Sequence, residues 1–453
     1  MSAAADANPD LYRAPVGTHD VLPPESAAWA DAVARFADRA RRFGYGLVVT
    51  PVFEHLEVFQ RVGASTDVVR KEMYEFTDKG GRSLALRPEG TAPVVRAFVQ
   101  HRPAVPWKVW YLAPHFRYER PQKGRYRQHW QLGAELLGVD DPEADVEVIA
   151  LAHGFYRDLG LGRVRLLVNS MGDAESRPAY LAALRAYLLD HAPTLGDEFR
   201  ARVEQNPLRV LDAKTEAWQT VLDGAPRLDQ HLGPAARDHF AAVQSGLTAL
   251  GIGFECAPRL VRGFDYYTST TFEFVSDALD AAQNAIGGGG RYDRLAEDMG
   301  GPPTPSIGFG IGIERVLIAL AAERADDGPV AAAPTLDAFV VDAVGGGVAT
   351  VVVGELREAG LAADRAYGGR SVKAQWKLAD RSGARYAVML GAREAERGVV
   401  GVKDLRAPAA EQSEVPRAEL VAWLRRVTTT PGPATADPAD LTDPTDRPPG
   451  AIT

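Results

Sequence analysis

The stretch Gly308-Phe309-Gly310-Ile311-Gly312-Ile313 alternates glycine with large apolar residues at the two-residue period of a β-strand. Such a strand offers one apolar face to a core and one face without side chains. It suits a sheet where a flat ligand or another backbone comes close. Glu314-Arg315 follow directly, and Val316, Leu317 and Leu320 continue as an apolar helix. Arg315 would then project over the bare face, placed to meet a phosphate. Close packing of a strand on a helix would use the same residues. The spacing is G-x-G-x-G, not the G-x-G-x-x-G of a dinucleotide-binding turn.

The chain's 453 residues correspond to two to four domains at roughly 100–200 residues each. After Pro23-Pro24-Glu25, the residues Trp29, Val33, Phe36, Ala40 and Phe43 recur at helical spacing, with Asp31, Arg35, Asp38, Arg39 and Arg42 largely off that stripe. Gly44 and Gly46 end this helix, and residues 47–52 read as a strand. Short strands and helices alternate to about Leu159. From Ser176 to Gly251 the chain turns Ala-, Leu- and Arg-rich and helical, then returns to strand and glycine signals, so 176–251 reads as an insertion into a domain spanning 1–325. A linker is expected at 326–335. Strand and helix patterns then alternate over 336–426 as a small α/β domain. Residues 427–453 have almost no large apolar side chains and are expected to be disordered.

The lone cysteine, Cys256, excludes a disulfide framework and any Cys-based zinc cluster. The nine histidines show no metal-binding spacing, so no structural metal is expected. No apolar run of membrane-spanning length occurs, and the first basic residue, Arg13, follows Asp6 and Asp10, unlike an export signal. A cytoplasmic location and no membrane partner are expected. The net charge of −9 argues against indiscriminate nucleic-acid binding. Residues 117–127 nevertheless hold five cations against Glu119, and residues 365–385 hold six against Asp380.

The first of those basic runs is the densest chemical signal. Arg117, Arg120, Lys123, Arg125 and Arg127 flank a turn marked by Pro121 and Gly124, with Phe116, Tyr118, Tyr126 and Trp130 interleaved. A hairpin of this kind can present guanidinium forks to a polyphosphate, or can simply be solvated. Arg262-Gly263-Phe264-Asp265-Tyr266-Tyr267 places an arginine before paired tyrosines at the start of a strand. Gly287 to Asp293 reads as a glycine loop, and Arg87 to Thr91 as a turn carrying a carboxylate and a hydroxyl. No nucleophile elbow and no Walker loop is present.

In this order, the segments resemble the class II histidyl-tRNA synthetases. Motif 1 would be the helix and strand ending at Pro51, motif 2 Phe116 to Arg120, and motif 3 Gly308 to Arg315. Residues 260–267 and 289–293 match the two signatures that mark the histidine enzymes. The resemblance implies an α+β fold: an antiparallel sheet flanked by helices, with a helical insertion and a separate C-terminal α/β anticodon-binding domain. It implies a homodimer with motif 1 at its interface. The implied activity converts L-histidine and ATP to histidyl-adenylate and pyrophosphate, then transfers histidine to the 3′ end of tRNA(His).

The resemblance also assigns residues. Arg117 and Arg262 would act on the α-phosphate from opposite sides as the catalytic pair. ATP would further meet Glu119, Arg125, Gly310, Gly312 and Arg315, with Mg²⁺ bridging its phosphates and no protein metal site. Histidine would meet Glu89, Thr91 and Gln131 through its amino group, Arg117 through its carboxylate, Glu135 and Tyr267 through its imidazole, and Tyr266 and Tyr292 in the pocket wall, with Gly90 also among the substrate-binding residues. Gln122 and Lys123 at the hairpin tip would reach the tRNA acceptor end. A non-catalytic relative, the regulatory subunit of ATP phosphoribosyltransferase, keeps a similar fold but lacks the anticodon domain and part of the ATP-binding set.

Overall fold

The computed structural model describes residues 13–63, 66–122, 124–173, 175–261, 263–264, 266–280, 283–326, 336–407 and 411–429. The expected linker and tail fall almost wholly outside these residues, and Lys123 and Arg262 lie outside them. The chain divides into two compact units, Met1–Pro329 and Val330–Thr453.

Sixteen strands are described. In chain order they begin β1 (Gly46–Leu47), β2 (Phe53–His55), β3 (Glu75–Thr77), β4 (Ser83–Leu86), β5 (Trp107–Phe116) and β6 (Gln128–Leu137). The first unit adds β7 (Val164–Ser170), β8 (Glu255–Cys256), β9 (Thr268–Ser276), β10 (Ala285–Arg291) and β11 (Ser306–Gly312). Eight of these form one sheet in the order β1-β5-β6-β11-β10-β9-β7-β8. Every pairing from β5 to β7 is antiparallel. The two-residue edge strands β1 and β8 pair parallel with their neighbours. Strands β2, β4 and β3 make a smaller sheet.

One face of the large sheet is apolar. Ile307, Phe309 and Ile311 join Leu132, Ala134, Phe272 and Phe274 in a core with the helices Glu25–Arg42 and Pro142–Leu159. Phe36, fully buried, is the pivot: its ring lies 5.1 Å from Phe155, 5.8 Å from Trp110 and 6.1 Å from Phe309. The apolar stripe read from the sequence is thus the buried side of this helix. Arg39, which that reading left outside the stripe, is buried as well. Its guanidinium makes two 2.7 Å bonds to Asp158 across Gly154, where a Cβ would come within 2.0 Å of Nη1. A bidentate carboxylate partner makes such burial tolerable.

Two local expectations are corrected. Of residues 47–52 only the first extends a strand. Beyond it the carbonyls of Thr50 and Pro51 and the Thr50 hydroxyl accept bonds from Arg87 at 3.0–3.2 Å, and Pro51 has no N–H to pair. The glycine run from Gly287 is no loop but the middle of β10, between β11 and β9. Four glycines can hold a strand there because both neighbours supply the ladder. A Cβ on Gly289 would lie only 1.9 Å from the Gly308 carbonyl oxygen.

The helices Ser176–Leu195, Asp197–Gln205, Pro207–Leu211 and Gln219–Asp223 pack a core of their own around Tyr180, Leu184, Phe199 and Trp218. The helix Pro234–Ala249 bridges the two, giving Ala236 to this core and Val243 and Leu247 to the main one. The second unit continues with β12 (Leu336–Asp342), β13 (Ala363–Arg365), β14 (Ala384–Leu390), β15 (Val399–Asp404) and β16 (Ser413–Pro416). They form a mixed sheet in the order β13-β12-β14-β15-β16. The helices Val348–Glu358 and Leu420–Thr429 cover one face, and Val372–Arg381 covers the other. Among the described residues no helix is long and apolar enough to cross a membrane.

Because Phe36 touches three rings on three elements, Phe36→Ala is expected to cost about 3–5 kcal/mol. The loss should appear as a thermal midpoint lowered by several degrees. An unchanged midpoint would show that this helix is not seated as described.

Candidate active site

The other face of the large sheet is hollow, and its register explains why. Directly paired residues project to the same side. One row across the sheet reads Tyr111, Gly133, Gly310, Gly288 and Glu273, and the next reads Val109, Glu135, Gly308, Gly290 and Thr271. Glycines from three adjacent strands make a floor with side chains standing only at its margins. Those marginal side chains lie over the glycines. A Cβ on Gly133 would fall 2.2 Å from Cζ of Tyr111, and one on Gly308 would fall 1.5 Å from Oε2 of Glu135. The bare face expected at motif 3 is therefore covered by Glu135 at Gly308, approached by the Gln131 amide at Gly310, where a Cβ would lie 3.0 Å from Oε1, and open at Gly312; Gly310 and Gly312 line the cleft.

Above this floor is a cleft of about 510 Å³. Most residues proposed from the sequence line it: Glu89, Gly90, Thr91, Arg117, Glu119, Arg125, Gln131, Tyr266, Tyr267, Gly310, Gly312 and Arg315. Glu135 and Tyr292 lie just beneath the wall, almost fully buried. Gln122 sits at the hairpin tip, where it exchanges two backbone bonds with Arg125 and accepts one from the Gln283 amide at 2.8 Å. Lys123 and Arg262 lie outside the described residues, so the second half of the expected catalytic pair has no described position.

At one end the cleft is acidic and phenolic. Glu89 caps the helix Thr91–His101, its two oxygens accepting from the N–H groups of Thr91 and Ala92 at 2.7 Å. Burial raises its pKa, against the pull of those two bonds. Glu135 accepts from the Thr91 hydroxyl at 2.8 Å and from the Tyr292 hydroxyl at 2.6 Å. Burial is the main reason that its pKa is pushed up to about 8. The same burial lifts the Tyr111 and Tyr292 phenols well above their ordinary range. Tyr266 packs its ring 4.6 Å from Tyr267 and 5.9 Å from Tyr292, closing the pocket with aromatic surface.

At the other end the cleft is cationic. Arg117 is aimed by its Nε–H bond to the Pro88 carbonyl at 2.8 Å, and Arg315 by bonds to the carbonyls of Ala285 and Gln283 at 2.7 and 3.0 Å. Glu119 lies between Arg117 and Arg125, at 3.9 and 3.7 Å. Each anchored guanidinium keeps further N–H groups for an anion, since five are available. Burial, with Arg125 nearby, lowers the Arg315 pKa.

Several lining residues escaped the sequence reading. His129 shares the inward face of β6 with Gln131 and Glu135, and burial pushes its pKa down to about 3, so its imidazole is neutral. The two-residue spacing of 129, 131 and 135 is a signal that could have found it. Tyr111 and Glu273 needed the register between strands, and Arg209 and Asp212 arrive from the helical block. Arg291, part of a matched signature, is not in the cleft. It is buried against Asp145 at 2.7 Å and holds the Asp141 carbonyl at 2.8 Å. Its neighbour Tyr292 is thereby set behind Glu135.

The profile of the histidyl-tRNA synthetase family matches residues 17–316, over the whole of this site, and an anticodon-binding domain profile matches residues 339–427. The chain belongs to the histidyl-tRNA synthetase family. A histidine–tRNA ligase of Streptomyces avermitilis is 47% identical over 418 residues, which cover 91% of this chain and 98% of its own. The apo histidyl-tRNA synthetase of S. aureus superposes with a TM-score of 0.74 at 34% identity, covering 91% of this chain and 99% of that one. A chain from Bacillus halodurans described as an ATP phosphoribosyltransferase regulatory subunit/histidyl-tRNA synthetase reaches a TM-score of 0.59 at 22% identity, over 81% of this chain and 96% of its own. That last likeness is one of fold.

The glycine floor is directly testable. Gly308→Ala must displace Glu135, whereas Gly253→Ala, away from the cleft, adds a Cβ with no heavy atom within 4 Å. Gly308→Ala is expected to lose histidine-dependent ATP–pyrophosphate exchange by roughly a hundredfold or more, a cost of the order of displacing a buried hydrogen-bonded carboxylate. Gly253→Ala should retain most of it. Equal activities would show that Glu135 does not need the bare position.

Proposed function

We propose that this cleft binds histidine at its acidic end and ATP at its cationic end. The activity is that of a histidine–tRNA ligase: histidine and ATP give histidyl-adenylate and pyrophosphate, and histidine then passes to the 3′-terminal ribose of tRNA(His). The observation that carries the assignment of ends is the juxtaposition of Glu135, Thr91 and Tyr292 with Arg117, Arg125 and Arg315 around one floor of glycines. The histidine ammonium meets Glu89, Thr91 and Gln131, with Gly90 leaving room for the Tyr111 ring. Its imidazole is read by Glu135 on one nitrogen and Tyr267 on the other, polar partners that an apolar analogue would leave unpaired. Tyr266 and Tyr292 wall the ring.

In activation, a histidine carboxylate oxygen attacks the α-phosphorus in line and pyrophosphate leaves. The residues contribute position and charge more than covalent chemistry. Arg117 takes the carboxylate and the α-phosphate, and Arg262 is the second residue that the family resemblance implies for that phosphate. Arg125 and Arg315 hold the outer phosphates, while Glu119 keeps Arg117 and Arg125 apart and aimed. Gly310 and Gly312 give ATP a flat bed. Bound with ATP, Mg²⁺ would neutralise phosphate charge beside Arg125 and Arg315. Among the described residues no group of three His, Cys, Asp or Glu side chains could hold a metal ion by itself. In transfer, the ribose hydroxyl attacks the acyl carbon, and AMP leaves. The hairpin tip at Gln122 and Lys123 meets the tRNA acceptor end.

The second unit supplies the rest of the tRNA contact. Lys373 and Lys377 are exposed on one side of the helix Val372–Arg381, and Arg365, Arg370, Arg381 and Arg385 extend this basic run. The regulatory-subunit reading has no support in a chain whose residues 339–427 match the anticodon-binding profile. Two copies of the chain pair through the motif 1 side, where Leu47, Val49, Phe53 and Phe76 are 58, 83, 51 and 41% exposed. A monomeric mass by light scattering would remove this pairing. The chain works in the cytoplasm, with tRNA and ATP.

The pH dependence follows from Glu135. Its pKa of about 8 in the folded chain exceeds the ordinary 4.5, so the folded state binds the extra proton between those values. Any stability contributed by this group is full below about 4.5 and is lost as pH rises toward 8. With the imidazole of free histidine near 6.5, one proton is shared by Glu135 and the ring between about pH 6.5 and 8. Above 8 both have lost it, so the histidine KM should rise. Histidine-dependent ATP–pyrophosphate exchange measured from pH 6 to 9.5 checks this, with Glu135→Gln expected to raise KM overall and remove the alkaline rise. A flat wild-type KM through pH 9, or wild-type kinetics in the variant, would contradict the assignment.

A further inference from the structure

The loop that leads into β9 carries Tyr266 and Tyr267, and the sheet holds its two ends, the far one through the pairing of Thr268 with Arg291. Asn169 on β7 donates to the carbonyls of Pro258 and Leu260 at 3.3 and 3.0 Å. From there the contacts pass to the helical block. Val261, Phe264 and Tyr266 pack on its apolar core, and Tyr267 is part of that core. Arg177, in the first turn of the helix Ser176–Leu195, donates to the Tyr267 carbonyl at 2.8 Å. Arg209, from the helix Pro207–Leu211, donates to the Gly263 carbonyl and also lines the cleft. In the reverse direction Arg259 reaches into the block, bonding Asp223 at 2.6 Å and Gln219 at 2.9 Å.

We propose that Arg177 and Arg209 are positioning residues for histidine: through them the helical block sets the Tyr266–Tyr267 wall, so histidine affinity depends on a part of the chain remote from the motifs. This rests on the reading of Tyr267 as an imidazole partner. The backbone at both ends of the wall is gripped by charge-assisted bonds to carbonyls. A guanidinium contact of this type moves its target directly when removed. Arg117 and Arg315, which hold ATP, are instead aimed by the carbonyls of Pro88, Ala285 and Gln283, outside the helical block.

Exchange kinetics with full-length protein separate the possibilities. Arg177→Ala and Arg209→Ala should each raise the histidine KM about tenfold, the loss of one charge-assisted hydrogen bond, with the ATP KM within twofold of wild type. Arg177→Lys and Arg209→Lys should recover part of the loss. Arg177→Ala combined with Tyr267→Phe should show less than the sum of the single effects. Arg227→Ala, which breaks the exposed Arg227–Asp229 pair in the same block, should leave both KM values unchanged. Histidine KM values within twofold of wild type in the arginine-to-alanine variants would overturn the proposal. So would a joint rise of both KM values that lysine does not relieve. Tyr267→Phe alone keeps the two readings apart. An unchanged histidine KM there removes the imidazole assignment. A raised value there with silent arginine variants removes only the positioning role.

Discussion

The site depends on steric vacancy: glycines aligned across three antiparallel strands let neighbouring side chains lie down on the sheet. Tyr111 rests over Gly133 and Glu135 over Gly308, at separations that any Cβ would forbid. Everything polar at the histidine end follows. Glu135 can be buried only because it lies flat, and once there it meets Thr91 from one helix and Tyr292 from the end of β10. The opposite face of the same strands carries Ile307, Phe309 and Ile311, so the alternation that opens the cleft also builds the core beneath it.

Electrostatics then divides the cleft. Glu135 and the Tyr292 phenol at one end are driven toward their neutral forms by loss of water, which suits them to hydrogen bonding rather than ion pairing. Arginines at the other end keep their charge and are tied to backbone carbonyls, so they are aimed before any phosphate arrives. Preorganised dipoles and charges of this kind cost little further reorganisation during reaction. The His115–His129 pair on the cleft side of β5 and β6 stays neutral because burial, above all, and Arg117 oppose a further positive charge there.

The legible parts of this design were those with a period or a fixed spacing. The Gly-x-Gly-x-Gly strand, the amphipathic helix Glu25–Arg42 and the motif 2 hairpin all announce themselves in one dimension. The antiparallel class II sheet followed from the resemblance those segments carry. Its parallel edge strands did not, since two-residue pairings leave no pattern. The run from Gly287 to Gly290 was taken for a loop because four glycines have no alternation to betray a strand, and only the ladders on both sides hold it extended. Tyr111 and Glu273 come to the cleft through register. Arg177 and Arg209 come through packing of a helical block on a loop far away in sequence. Such placements are properties of pairing between segments, which a single stretch of sequence does not contain.

The most direct test is a crystal structure of the protein with histidine bound. The account predicts the imidazole beneath Tyr266, with one ring nitrogen within about 3 Å of a Glu135 oxygen and the other within about 3 Å of the Tyr267 hydroxyl. The carboxylate should face Arg117. An imidazole turned toward the arginines, or seated away from the glycine floor, would contradict it.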